Sequence, residues 1–546
     1  MRQSVRSMVC AAVAAAAVCV ASAAFGMLPD EKWNAPKPEK TDLSVIYIER
    51  LPRYPGIACR YDSIDDPEHG RGDLFAGVRN PDEKKRPAPG DTVTFIAHVK
   101  NKGAVPSKWY RAYWLIDGKE VKAGTAKPLD PEEEATFELA WTWRAGTHFI
   151  AFEVDRERLN DEITRHNNYV VDRMDALSFH FFVEESVYAF FNTVMNGRWA
   201  YGFEDWAQFQ VAQMNKEFRD TIYPSCPNGI EERVRLDKVF IIPDGWGSAG
   251  GMHVPSVVVR PHPTAEKWWQ IPDLDNPKFV NANDPPKDVT AQTYTNALSG
   301  CDGVWGFTVG LLKERENGLH FYTDMHRWVT GSEWPLHHEL GHQLGRADHY
   351  LLPVSGKENR AVPGLGYSPP RDYRDGMMFS GNYAHDNALG KRTRAWDATY
   401  RFYSEHTAGS FNRDKGVPRG MFGEYFADIP KVNVFLFVDE AGRPVANATV
   451  KLHRSIGRGY TNPAIAKAPT YTGATSGTGV YMLDKAPFAV VLNWGSNGVI
   501  LCELQAEGRT LYGWVTLAEF NTAYWRGETE EARHVIVVKP FEGEQK

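Results

Sequence analysis

Hydrophobic positions in the first part of the chain recur in short runs with a period near two. Leu43 to Ile48, Thr92 to Val99, Tyr110 to Ile116, Thr136 to Trp143 and His148 to Val154 are rich in β-branched and aromatic residues, and Pro89-Gly90 and Asp117-Gly118 punctuate them. Such runs, with no segment of helical period among them, predict an antiparallel sandwich over residues 41–185. After Ser186 the pattern changes. Glu204 to Arg219 sets Trp206, Phe209, Val211, Met214 and Phe218 near helical spacing, which predicts an amphipathic helix, and Val239 to Ile242 form the apolar core of a strand. Helix followed by strand implies layered α/β structure, expected over residues 186–428. From Lys431 the short period returns in "KVNVFLFVDEAGRPVANATVKLHRS", two strands around a turn at Asp439 to Pro444, so residues 431–546 are expected to form a second sandwich. The predicted architecture is multidomain: a central α/β (α+β) domain flanked by two all-β sandwich domains.

Composition narrows what such a chain does. Its 546 residues carry 62 Lys and Arg against 69 Asp and Glu, a net charge of −7, with no dense basic block to displace counterions from phosphates. Nucleic acid is therefore not an expected partner. Residues 1–23 join Arg2 and Arg6 to an apolar run, Met8 to Val20, and the small-residue site Ala21-Ser22-Ala23, which predicts a signal peptide cleaved after Ala23. The run is shorter than the ~20 residues needed to span a bilayer, and nothing later reads as a stable membrane span. Export to a secreted, periplasmic or cell-surface location is the expectation. Loss of the signal removes Cys10 and Cys19 and leaves Cys59, Cys226, Cys301 and Cys502, with Cys226 and Cys301 a candidate disulfide pair that spacing alone does not decide. Asp62, Asp65, Asp66 and Asp73 suit a solvated loop, with a structural Ca²⁺ as the alternative.

The strongest chemical signal lies in "WPLHHELGHQLGRADHY". On a helix, His338 and His342 stand one turn apart on one face, so two imidazoles reach a single Zn²⁺, and Glu339 stands beside them as a base that does not bind the metal. Pro335 suits a first helical turn and Ser332 a cap. Gly345 follows where a left-handed residue ends a helix and swings the chain back, which brings Asp348 or His349 toward the metal as third ligand. His337, rotated from His338 by about 100°, is expected away from the metal, as a supporting or exposed residue.

Three resemblances attach to these residues. "DTVTFIAHVKNKGAV", "YWLIDGKEV" and "DRERLNDEITRHNNYV" resemble the immunoglobulin-like module called CARDB, and "GRPVANATV" resembles the carboxypeptidase-regulatory-like sandwich. The string His338, Glu339, His342, Gly345 and Asp348 resembles the metzincin clan of zinc metalloproteases. That resemblance implies Asp348 as third ligand, with His349 as the alternative and Glu358 a less favoured one. It also implies a Met-containing turn beneath the metal, met here by Met377 or Met378, and an extended substrate along an edge strand near "GVWGFTVGLL". Tyr383 is a candidate oxyanion donor, although a structural Tyr accounts for it as well. The implied activity is a secreted zinc endopeptidase with Glu339 as general base. Its expected partners are a protein or peptide substrate and cell-surface or matrix components met by the sandwiches. Two alternatives are a glycan-binding adhesin, for which the Trp268-Trp269 loop is a candidate, and a zinc amidase on a non-peptide substrate.

Overall fold

In a computed structural model the chain is described over residues 37–52, 87–193, 202–242, 244, 302–307, 312–315, 318–321, 334–344, 346, 349, 352–370, 373, 376–379, 402–414, 428–456, 464–484 and 498–541. The signal segment 1–23, the loop acids Asp62 to Asp73, Trp268-Trp269, Cys301, Ser332 and Tyr383 lie outside these residues.

The N-terminal sandwich consists of β1 (Leu43–Leu51), β2 (Thr92–Asn101), β3 (Tyr110–Ile116), β4 (Lys119–Ala126), β5 (Glu134–Thr142), β6 (Phe149–Val154) and β7 (Tyr169–Arg173). They form two antiparallel sheets, ordered β1-β2-β5 and β4-β3-β6-β7. Alternation sends Val93, Phe95, Ala97 and Val99 of β2 inward against Tyr110, Trp114 and Phe152. β4 is almost wholly exposed, so its residues carry no apolar alternation, and the hairpin turn at Asp117-Gly118, both at positive φ, is what marks it.

β8 (Leu177–Glu184) then starts a three-stranded sheet of order β10-β8-β9, with β9 (Val234–Ile242) and β10 (Gly303–Phe307) both parallel to it. A parallel sheet is buried on both faces, which is why β8 reads as "LSFHFFVE" with every residue buried. The helices α1 (Glu185–Thr193), α2 (Phe203–Asp220), α3 (Trp334–Gln343) and α4 (Glu405–Asp414) complete this region together with a two-stranded hairpin of β11 (Leu312–Arg315) and β12 (Gly318–Phe321). Trp206, Val211, Met214 and Phe218 of α2 share one core with Phe179, Phe181, Trp305 and the α3 residues Leu336 and Leu340. Phe402–Ser404 are irregular and lead into α4 at Glu405.

The C-terminal sandwich holds β13 (Val432–Val438), β14 (Thr449–Ile456), β15 (Ala464–Ile465), β16 (Tyr471–Ala474), β17 (Val480–Leu483), β18 (Val499–Ala506), β19 (Arg509–Thr516) and β20 (Glu531–Val537), with α5 (Leu517–Trp525) between the last two strands. One sheet is ordered β17-β13-β20 and the other β15-β14-β18-β19. α5 starts at a capping box in which the Thr516 backbone N–H donates to Glu519 at 2.6 Å.

Of the candidate pair Cys226 and Cys301, only Cys226 lies among the described residues. Cys226 is a free buried thiol at 3.7 Å from the Thr221 carbonyl, and Cys502 is likewise free and buried. Both behave as small apolar side chains that complete a core.

Asp172, on β7, is buried against β9, and among the described residues its Oδ2 has no hydrogen-bond partner. Burial pushes its carboxyl up to about 7, with Arg235 pulling down and Asp237 pushing up. The folded chain keeps this proton where the unfolded chain has lost it, so the stability it contributes is full below about pH 4 and is lost as pH rises through about 7. Asp172→Asn is expected to stabilise the chain by at most about 4 kcal/mol at about pH 8 and by little at about pH 4. Thermal melts at both pH values check it; equal shifts would sink the assignment.

Candidate metal centre

α3 carries the motif, and its residues are held from three sides. Leu336 and Leu340 pack into the central core, while His337, His338 and Leu340 are all buried. His337 was expected to be supporting or exposed; it is buried, with Nδ1 at 2.8 Å from Glu217 Oε2 and Nε2 at 3.0 Å from the Gln210 carbonyl. It ties α3 to α2 and faces away from His338. His338 Nδ1–H donates to the Met377 carbonyl at 2.8 Å, which places the ring's proton on Nδ1 and fixes the ring's orientation. Glu339 is half-buried.

The helix ends as its sequence requires. Leu344 N–H donates to Leu340 O at 3.0 Å, and Arg346 N–H reaches back to Gly341 O at 2.9 Å, a six-to-one bond that closes the helix. Gly345 itself, the His342 ring and Asp348 lie outside the described residues and side chains. Arg346 is fixed by Ser410 Oγ at 2.6 Å, by the Leu344 carbonyl and by the Phe411 ring, which its guanidinium covers at 4.4 Å.

The two methionines sit under the same helix. A Cβ on Gly341 would stand 2.8 Å from Met378 Sδ, so the thioether packs directly against the glycine and would have to shift for any larger residue. The Met378 carbonyl accepts from His349 N–H at 2.7 Å, next to the Met377 carbonyl that takes His338. The structure thus brings together His338, Glu339, Gly341, Met377, Met378 and His349.

His349, the alternative third ligand, has both ring nitrogens engaged by protein. Nδ1 is 3.3 Å from Ser404 Oγ and Nε2 is 3.0 Å from His406 Nδ1. With Nε2–H donating to His406, the ring's one lone pair lies on Nδ1, where the Ser404 hydroxyl donates to it. Burial pulls His406 down to about 4, which keeps it neutral and able to accept. Glu358, the remaining alternative, is exposed in a turn whose carbonyl pairs with Ile465 of the C-terminal sandwich. Among the described residues no three His, Cys, Asp or Glu side chains converge on one point. The donor set still fits zinc in kind. His338 is an oriented imidazole on a buried helix, and its partners in the string are one imidazole and one carboxylate.

Edge strand β10 runs beside α3. Gly303 meets both Phe179 and Leu340, and a Cβ there would lie 2.6 Å from the Phe179 ring. Among the described residues β10 has a hydrogen-bonded neighbour on one side only.

Comparison with known families is informative for one region. The CARDB family model matches residues 72–172. The chain contains a CARDB domain. Among solved structures, the CARDB domain of a Pyrococcus furiosus protein, in complex with di-metal ions, is 20% identical, covers 26% of this chain and 96% of its own, and has a TM-score of 0.18. A domain of a protein from Methanosarcina acetivorans named for the cell surface is 18% identical, covers 25% of this chain and 93% of its own, and has a TM-score of 0.17. A glycoside hydrolase family 2 β-glucuronidase is 10% identical over 77% of this chain and 47% of its own, with a TM-score of 0.18. No curated protein matches the chain. Among the described residues no helix is long and apolar enough to cross a membrane.

The CARDB domain is docked on the central region through β1 and α2. Ser44 Oγ donates to Asp205 Oδ1 at 2.5 Å, Asn167 bridges Asp205 and Asp42 at 2.8 and 3.1 Å, and Gln208 reaches the Ile46 carbonyl at 2.9 Å. Lys102 is paired with Glu204, which also accepts from Tyr188 OH at 2.7 Å. Glu204 and Asp205 occupy the first turn of α2, where the helix dipole favours negative charge. Sequence reading missed all of these, because their partners lie far apart along the chain and belong to different elements.

Proposed function

We propose that the chain is an exported zinc-dependent endopeptidase of metzincin type, with His338, His342 and Asp348 as ligands and Glu339 as general base. The observation that carries this reading is the fold-back around α3. Beyond α3 the His349 N–H donates to the Met378 carbonyl, while His338 donates to the Met377 carbonyl and Met378 Sδ lies against Gly341. A carboxylate at position 348 completes a two-imidazole, one-carboxylate set, and the engagement of His349 by Ser404 and His406 favours Asp348 over it.

When bound, zinc supplies Lewis-acid polarisation of a scissile carbonyl and acidifies water. The protein's own groups do the rest. Glu339 takes a proton from the attacking water and passes it to the leaving amine nitrogen. The Met377 carbonyl holds the His338 ring in one orientation. The side of β10 with no strand neighbour among the described residues is where an extended peptide would add as a further strand. The C-terminal sandwich is of carboxypeptidase-regulatory type in this reading, and the CARDB domain together with the apolar N-terminus suits an extracellular or surface location.

Metal removal is the direct test. Purified protein is expected to contain about one zinc per chain, to cleave casein, to stop when a chelator is added and to resume when zinc is restored. Cleavage that persists without metal, or a chain that binds no zinc, would overturn the reading.

A further inference from the structure

α3 and α2 share an apolar core with one polar contact buried in it. Leu336 and Leu340 of α3 belong to the same cluster as Trp206, Val211, Met214 and Phe218 of α2. Beside them His337 is 1% exposed and Glu217 4% exposed. The Gln210 carbonyl can only accept, so His337 Nε2–H donates to it at 3.0 Å. On the other side of the ring, Nδ1 and Glu217 Oε2 close a hydrogen bond at 2.8 Å. Gln210 and Glu217 are seven residues apart on α2, about two turns, so both lie on the face that receives His337.

Bonds at two edges of a rigid ring fix its plane, and α3 cannot turn about its own axis without breaking one of them. His338, the next residue, lies about 100° further round the same helix. Its direction is therefore set from two sides, by α2 through His337 and by the Met377 carbonyl at 2.8 Å. α2 is a firm reference for this, because Asn215 clamps it to β9: Nδ2 donates to the Val234 carbonyl at 2.8 Å, and Oδ1 accepts from Val234 N–H at 2.9 Å.

Packing alone does not call for such groups. Glu217 is buried with Oε1 unbonded among the described residues, a desolvation cost that an apolar pair of similar size avoids. What an apolar pair lacks is direction, since methyl groups pack in many rotations and a doubly bonded ring in one.

We propose that Glu217 is a positioning residue for the metal site, acting through His337 to set the direction in which α3 presents His338. The inference rests on the zinc reading above. Groups that orient a ligand from behind typically contribute 10- to 100-fold in metal affinity.

The test measures zinc affinity of the full chain by competition with a chromophoric chelator, the visible spectrum of the Co²⁺ form, and the melting of metal-free protein. Glu217→Leu is expected to bind zinc roughly 10- to 100-fold more weakly and to shift the Co²⁺ spectrum. Glu217→Gln, which keeps an oxygen for Nδ1–H, is expected to recover most of that loss. Met214→Ala opens a cavity in the same core between Gln210 and Glu217, and is expected to lower the metal-free melt while zinc affinity and the Co²⁺ spectrum stay as in wild type. Wild-type affinity in folded Glu217→Leu, no recovery in Glu217→Gln, or an equal weakening in Met214→Ala overturns the proposal. If Glu217→Leu does not fold, His337→Phe, which keeps a ring and loses both bonds, is measured in its place with the same expectation. A chain that folds with neither substitution makes the pair a requirement of the fold and overturns the positioning role. His338→Ala separates the two levels: zinc lost there but unchanged in Glu217→Leu defeats the positioning role alone, whereas zinc retained in His338→Ala defeats the zinc reading itself.

Discussion

Replacing Glu339 by glutamine is expected to lower kcat/KM on a peptide substrate roughly 10²- to 10⁴-fold while zinc content stays at the wild-type level. The amide keeps the size and half-buried position of the carboxylate but neither takes a proton from water nor returns one to the leaving amine. α3 is anchored by Leu336, Leu340 and His337, none of which touches the substituted group, so the helix and the His338–Met377 bond persist. The loss should fall mainly on kcat, because a group that acts only in the transition state contributes little to ground-state binding. Metal analysis and single-substrate kinetics on the same preparation decide the matter. A Glu339→Gln chain with more than about a tenth of wild-type turnover removes Glu339 as the base. One that has lost its zinc shows instead that Glu339 supports the metal.

The parts legible in sequence are those whose physics is local. Strand alternation along β2 and β3, the positive-φ turn at Asp117-Gly118 and the apolar spacing on α2 are each decided within a dozen residues, and the structure has these elements close to where the pattern puts them. The stop after α3 is local too, since one bond from Arg346 to Gly341 spans the glycine. Hidden were the contacts made between elements remote in sequence. Nothing near His349 announces that Ser404 and His406 engage its ring, and nothing near His337 announces Glu217. Spacing left the pairing of Cys226 open, and in the fold it is a free thiol buried beside Thr221. β7 escaped because Tyr169 and Val171 point outward, so its apolar residues do not alternate with polar ones.

Glu204→Leu is expected to destabilise the whole chain by about 3–5 kcal/mol, as large an effect as one substitution away from the metal region should have. Lys102, from the CARDB domain, is 1% exposed, and its ammonium is buried against Glu204 at the start of α2. Burial pulls the ammonium down, but Glu204, Tyr188 and Asp205 outweigh it and hold Lys102 above the ordinary lysine value, so it stays charged. Removing Glu204 leaves that charge buried without its ion-pair partner and strips Tyr188 OH of its acceptor at 2.7 Å. Lys102→Met in the same chain should recover most of the loss, because replacing both partners of a buried pair by apolar groups is near neutral while breaking it is not. Urea unfolding of the two single variants and the double variant gives the coupling directly. Single variants that each cost under about 1 kcal/mol would mean that the pair is solvated and the CARDB domain is merely tethered. A large positive coupling, together with a single cooperative transition, would mean that the CARDB domain and the region bearing His338 unfold as one body, so that a surface-facing domain and a candidate catalytic helix share one stability.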